Sequence, residues 1–165
     1  MAPVSSGYSR IQISLHWAIA ILVVFQYVAH DPIHEYVEAF GLAGSATEAI
    51  PALARAHVFA GILTFALMLI RIFMRFAKGA PALPKEENRV LKMAAHATHS
   101  ILYLALLLLP LSGAMAWFGQ VEMAANAHVA LKFVLVAFVA LHVIGALYHQ
   151  FILKNGLIKR MMKAG

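Results

Sequence analysis

Cysteine is absent from these 165 residues. The chain therefore has no disulfide, no thiolate-held iron–sulfur cluster and no Cys-x-x-Cys-His attachment motif. Charge is also scarce: charged residues make up 12% of the chain, with only seven carboxylates against 13 lysines and arginines. Hydrophobic residues make up 62%, and the mean hydropathy is +0.80. A soluble domain of this size cannot hide that much apolar surface, so lipid must solvate most of it. The net charge of +6 resembles a nucleic-acid signal, but its placement is better explained by membrane topology.

Four apolar stretches have spanning length, at about 11–29, 55–76, 94–118 and 128–153, since a span takes about 20 residues. They and their connections use residues 1–165 as one transmembrane domain. The predicted fold class is an all-α membrane protein, a four-transmembrane-helix bundle. Eleven of the 13 basic residues fall on one side: Arg10, then Arg71, Arg75, Lys78, Lys85, Arg89 and Lys92, then Lys154, Lys159, Arg160 and Lys163. The opposite loops carry Asp31, Glu35, Glu38, Glu48 and Glu122. The positive-inside rule makes the basic side cytoplasmic and puts both termini there. The first span reads as a retained helix, because Tyr27-Val28-Ala29 lacks the small-x-small pattern of a cleavage site.

The long connection 30–54 has a helix start at Asp31-Pro32 and stops at Gly41 and Gly44, which suits a short surface helix. Residues 78–88, with Pro81 and Pro84, read as a cytoplasmic turn, and 119–127 as the third connection. Pro110 is expected to kink the third span, and Gly113 to allow close packing there. Tyr8, Trp17, Tyr36, Trp117 and Phe151 lie near the interfaces, as an aromatic belt does.

Against this apolar background stand the histidines. His16 lies in the first span, His57 in the second, His96 and His99 open the third, and His128, His142 and His149 run down the fourth. An imidazole in hydrocarbon is costly and reads as functional by default. His128 and His142 are 14 residues apart, about 21 Å along a helix and about 40° in direction, so one face offers imidazoles at two depths. By depth, His57 matches His128, and His16 can meet either His142 or His149, with His149 slightly favoured. Two bis-histidine sites stacked across the bilayer follow, and haem accepts such axial pairs. His30 and His34 read as loop residues, and His96 and His99 as solvated or propionate-contacting. Arg75 reads as an interfacial anchor, whereas Arg71, deeper in the span, is a candidate partner for a haem propionate.

In this order the motifs resemble the bacterial cytochrome b561 family, related to the di-haem cytochrome b subunits of nickel hydrogenases and formate dehydrogenases. The resemblance runs from Tyr8-Ser9-Arg10-Ile11-Gln12-Ile13-Ser14-Leu15-His16-Trp17 through His57, Gly61 and Arg71-x-x-x-Arg75. It continues through Ala95-His96-Ala97-Thr98-His99, Tyr103 and Leu109-Pro110-Leu111-Ser112-Gly113 to His128, Leu141-His142 and Tyr148-His149. It implies two haems b, with His16 and His142 ligating the cytoplasmic-side iron and His57 and His128 the periplasmic-side iron. It also implies a quinone site near the cytoplasmic haem, here at Ser14 and His149. The implied activity is electron transfer across the bacterial inner membrane, oxidising periplasmic superoxide to oxygen and reducing ubiquinone. The alternative is a di-haem anchor subunit passing electrons between a separate periplasmic redox protein and quinone. A non-redox zinc or proton pathway is the third reading. Arg55 is the expected electrostatic guide for superoxide on the outer side.

Overall fold

The computed structural model describes residues 7–42, 50–79 and 88–164. Among these residues the chain is all helix: α1 (Arg10–Val28), α2 (His30–Phe40), α3 (Ala52–Lys78), α4 (Arg89–Gly119), α5 (Glu122–Phe151) and the single turn α6 (Leu157–Arg160). α1, α3, α4 and α5 are long and apolar enough to cross a membrane. The expected positions Gly44, Glu48, Pro81, Pro84 and Lys85 lie outside the described residues.

Local chemistry sets the boundaries. Ser9 caps α1 through a capping box, its hydroxyl accepting from the Gln12 N–H while the Gln12 side chain accepts from the Ser9 N–H. α2 begins with Asp31 and Pro32 in its first turn, where a carboxylate meets the positive helix end and proline has no N–H to waste. It stops at Gly41, whose φ of +69° favours a residue without Cβ. Hydropathy had placed the start of the fourth span at 128. α5 in fact begins six residues earlier, at Glu122, because the weakly apolar Glu122-Met-Ala-Ala-Asn-Ala stretch is nonetheless a good helix former. The expected connection 119–127 shrinks to Gln120 and Val121. Likewise α4 starts at Arg89 rather than 94, because the Asn88 side chain accepts from the Val90 N–H. α3 starts at Ala52 rather than 55, directly after Pro51.

Helix order around the bundle follows from the packing. α4 lies along α5, α3 joins α4 to α1, and α2 folds back over α3. Buried small residues line these contacts: Ala54, Ala60 and Thr64 on α3, Ala105, Ser112 and Ala116 on α4, and Ala124 on α5. Small side chains let backbones approach where dispersion rather than water exclusion drives association. The start of α1 lies beside the end of α3: Gln12 Nε2 donates to the Gly79 carbonyl at 3.1 Å, and Arg71 donates to the Gln12 carbonyl at 3.0 Å. At the same end of the bundle the tail returns to α1, with Trp17 Nε1 donating to the Met161 carbonyl at 2.8 Å. α2 covers part of the opposite end, where buried Tyr36 packs on Trp117 with ring centroids 6.1 Å apart.

Gln12 thus serves the α1 cap and the α1–α3 junction together. Gln12→Ala is expected to cost about 1–2 kcal/mol by loss of both. A lowered midpoint of thermal unfolding in detergent, with spans still inserted, is the measurement that checks it.

Candidate functional site

α5 carries the two imidazoles around which the site is built. His128 is six residues into it and His142 nine residues from its end, so they sit about 9 Å and about 14 Å from their respective helix termini. His57 stands five residues into α3, about 8 Å from its start, and so at nearly the depth of His128. His16 stands six residues into α1, whose start lies at the end of the bundle where α5 finishes. α3 begins three residues and α5 six residues earlier than hydropathy suggests, which leaves His57 and His128 five and six residues from their helix starts.

The rings meet in those pairs. His57 and His128 have centroids 6.4 Å apart at 66°, and His16 and His142 have centroids 6.2 Å apart at 65°. The backbones of α3 and α5, and of α1 and α5, do not pack closely, so it is the side chains that meet between these helices. His149, the other candidate for pairing with His16, lies elsewhere. It is only 8% exposed, with Nδ1 2.7 Å from Asn155 Nδ2 and its ring edge-on to Tyr148. An amide N–H donating to Nδ1 leaves the histidine proton on Nε2.

The orientation of His128 is fixed from α4. Its Nδ1 lies 2.8 Å from the Leu109 carbonyl and 3.3 Å from Ser112 Oγ, and Ser112 Oγ also donates to Leu109 at 2.9 Å. The carbonyl can only accept, so His128 carries its proton on Nδ1 and presents Nε2 with a free lone pair. That is the tautomer a metal ligand needs, with the other ring nitrogen held by a backbone oxygen. Gly113 makes room for the ring: a Cβ there would lie 3.1 Å from both Cε1 and Nδ1 of His128. Pro110, one residue after Leu109, lies within the continuous α4, where it removes the N–H that would bond the Leu106 carbonyl.

A cavity of about 230 Å³ opens on the His57–His128 pair, walled by α1, α3, α4 and α5 and roofed by α2. Gln26, Thr64, Trp117 and Leu135 line its apolar body, and His30, His34 and Lys132 its far side. His30 and His34, expected in a loop, belong to α2, where their rings stack at 5.5 Å. Arg55 is exposed and does not line the cavity; the cation that does is Lys132. At the other end of the bundle, Arg71 and Arg75 line a small recess with Tyr8, Gln12 and Tyr103, and Arg75 lies over the Tyr103 ring at 6.0 Å. His99 lies edge-on to His142 at 5.0 Å, its Nδ1 2.6 Å from the Ala95 carbonyl, while His96 is exposed on α4. Ser14 is exposed on α1.

The sequence reading missed the capping box at Ser9 and Gln12, for which the Ser-x-x-Gln spacing was a usable signal. It also missed the contacts of His99 and Lys132, which are tertiary and leave no local pattern.

A family model for prokaryotic cytochrome b561 matches residues 7–164. The chain belongs to that family. It is similar to a cytochrome b562 of Cereibacter sphaeroides, 37% identical over 95% of this chain and 96% of that protein. It is also similar, more distantly, to a probable superoxide oxidase of Yersinia pestis, at 26% identity over 94% of this chain and 95% of that one. This cytochrome b561 is accordingly a multi-pass electron-transfer protein of the bacterial inner membrane, and haem b is the cofactor its family implies.

Because Gly113 leaves the His128 ring room against α4, Gly113→Val is expected to displace that ring. Haem content by pyridine haemochrome should fall in Gly113→Val, while Gly145→Val, where nothing lies within 4 Å of a Cβ, should leave it unchanged.

Proposed function

We propose that this cytochrome b561 holds two b haems, one between His57 and His128 and one between His16 and His142. It would carry electrons across the membrane from periplasmic superoxide to ubiquinone. One observation carries this reading: one helix bears two imidazoles at opposite depths, each facing a partner at nearly the same separation. Metal–imidazole bonds are about 2.0 Å long and a ring centroid lies about 1.1 Å behind its nitrogen, so two imidazoles sharing one metal can have centroids up to about 6.2 Å apart. The spacings of 6.4 and 6.2 Å agree with that value. His99 at 5.0 Å from His142 is too close to be its partner across an iron.

The donor set also favours a porphyrin over a bare ion. Among the described residues no three histidine or carboxylate side chains gather as a metal ion would need. A porphyrin supplies four nitrogens of its own and asks only two of the protein, whereas zinc sites take three or four protein ligands. Held by such pairs, haem b would supply reversible one-electron chemistry.

The chain's own residues do the rest. Leu109 and Ser112 hold His128 in the ligating tautomer. Arg71 spends one donor on the Gln12 carbonyl and keeps others for a haem propionate at the basic end. That end, with Arg10, Arg71, Arg75 and Lys78, suits the cytoplasmic face by the positive-inside rule. His149, with its proton on Nε2 by virtue of Asn155, can donate to a quinone carbonyl, and Ser14 offers a hydroxyl for the other. The overall reaction balances simply. Two superoxide ions are oxidised to dioxygen, and their two electrons with two protons convert one ubiquinone to ubiquinol.

Purified protein is expected to give two haems b per chain by pyridine haemochrome. His57→Ala and His128→Ala should each remove one, His16→Ala and His142→Ala the other, and His149→Ala neither. Loss of a haem in His149→Ala with both kept in His142→Ala would overturn the pairing. Stopped-flow mixing with superoxide and a ubiquinone should show superoxide loss above background. If it does not, the superoxide step fails and the electron donor is a separate periplasmic redox protein.

A further inference from the structure

Lys132 is an ammonium placed where hydrocarbon would make it costly, yet among the described residues no carboxylate lines the cavity it faces. It follows His128 by four residues on α5, one turn and about 6 Å along the axis, so both point from the same face. Among the described residues no carboxylate lies within ion-pair distance of it. Its recorded partners are His30, whose Nε2 is 2.8 Å from Nζ, and the face of Phe133, 5.3 Å from Nζ to the centroid.

The contact with His30 has a direction. A lysine ammonium only donates, so His30 Nε2 must accept, and the His30 proton sits on Nδ1, 3.2 Å from Asp31 Oδ1. Asp31, His30 and Lys132 therefore form a line of hydrogen bonds running from the surface of α2 into the cavity wall. Tyr27 steadies the same turn of α5, its hydroxyl donating to the Lys132 carbonyl at 3.0 Å. The arrangement fixes the stem and one N–H of Lys132. Among the described residues no anion meets its charge on the cavity side, where two N–H donors are left for one.

We propose that Lys132, positioned by His30, is the electrostatic anchor of the haem b held between His57 and His128. It pairs with a carboxylate side chain of that haem and raises its reduction potential. This rests on the ligand reading of His57 and His128 above. A fixed positive charge favours the reduced form of a nearby centre, because reduction adds an electron, and a low-dielectric wall screens the effect little. Lys132 acts on the potential and seating of the haem rather than on the reacting atoms, and His30 is the residue that positions it.

The test is a spectroelectrochemical titration of the purified full chain, with haem content measured on the same samples. The component lost in His128→Ala identifies the haem in question, and the other haem is the internal control. Lys132→Met is expected to lower the midpoint of that component alone, and Lys132→Arg to restore it. His30→Ala is expected to give a smaller shift of the same sign, because the ammonium is freed but not removed. Loss of that one haem in Lys132→Met, with retention in Lys132→Arg, also supports the anchor. Two haems with unchanged midpoints in Lys132→Met would overturn the proposal. So would a Lys132→Arg protein that behaves like Lys132→Met, since the side chain would then matter for packing and not for charge. Wild-type protein without haem b, or His128→Ala keeping every haem, would overturn the ligand reading and this proposal with it.

Discussion

An imidazole in a membrane helix must be given a partner, and the bundle is arranged around that requirement. Two of the four partners come from one helix, α5, whose rigidity fixes the distance between the two histidine pairs. α1 and α3 supply the opposing rings, while α4 packs closely along α5 and holds the His128 ring from behind. The division of labour is between helices that pack and helices that face. Small residues serve the first and histidines the second. Gly113 serves both: the absence of its side chain lets α4 lie near α5 and gives the His128 ring its place.

Much of this was legible in the chain. The spacing of His128 and His142 is a property of any α-helix, so their common face could be read from sequence numbers alone. The short helix after the first span was marked by Asp31-Pro32 and Gly41, and it forms at those signals. Less legible were the beginnings of α3, α4 and α5. Hydropathy finds where a helix becomes apolar, whereas Pro51, Asn88 and the helix-forming stretch from Glu122 mark where it begins. His57 and His128 still lie at nearly one depth, because the extensions of three and six residues put them five and six residues from their helix starts.

What could not be read was the company each residue keeps. Lys132 looks like an ordinary lysine in the sequence, and His30 like a loop histidine. Their contact joins residues 102 positions apart and depends on α2 folding back over the bundle. His99 likewise carries no sequence mark of lying against His142. Depth arguments left His16 with two partners; side-chain geometry separates them, since His142 faces His16 and His149 is buried beside Asn155 and Tyr148.

The chain has two tryptophans, and they are distributed evenly between its two ends. Trp17 lies edge-on to His16 at 5.3 Å, tethered by the tail at Met161, and Trp117 lines the cavity that opens on His57 and His128. Each histidine pair therefore has its own indole beside it. If haem binds at these pairs as proposed, it would quench indole emission over a range longer than the spacing of the pairs, so both tryptophans would darken as the protein fills.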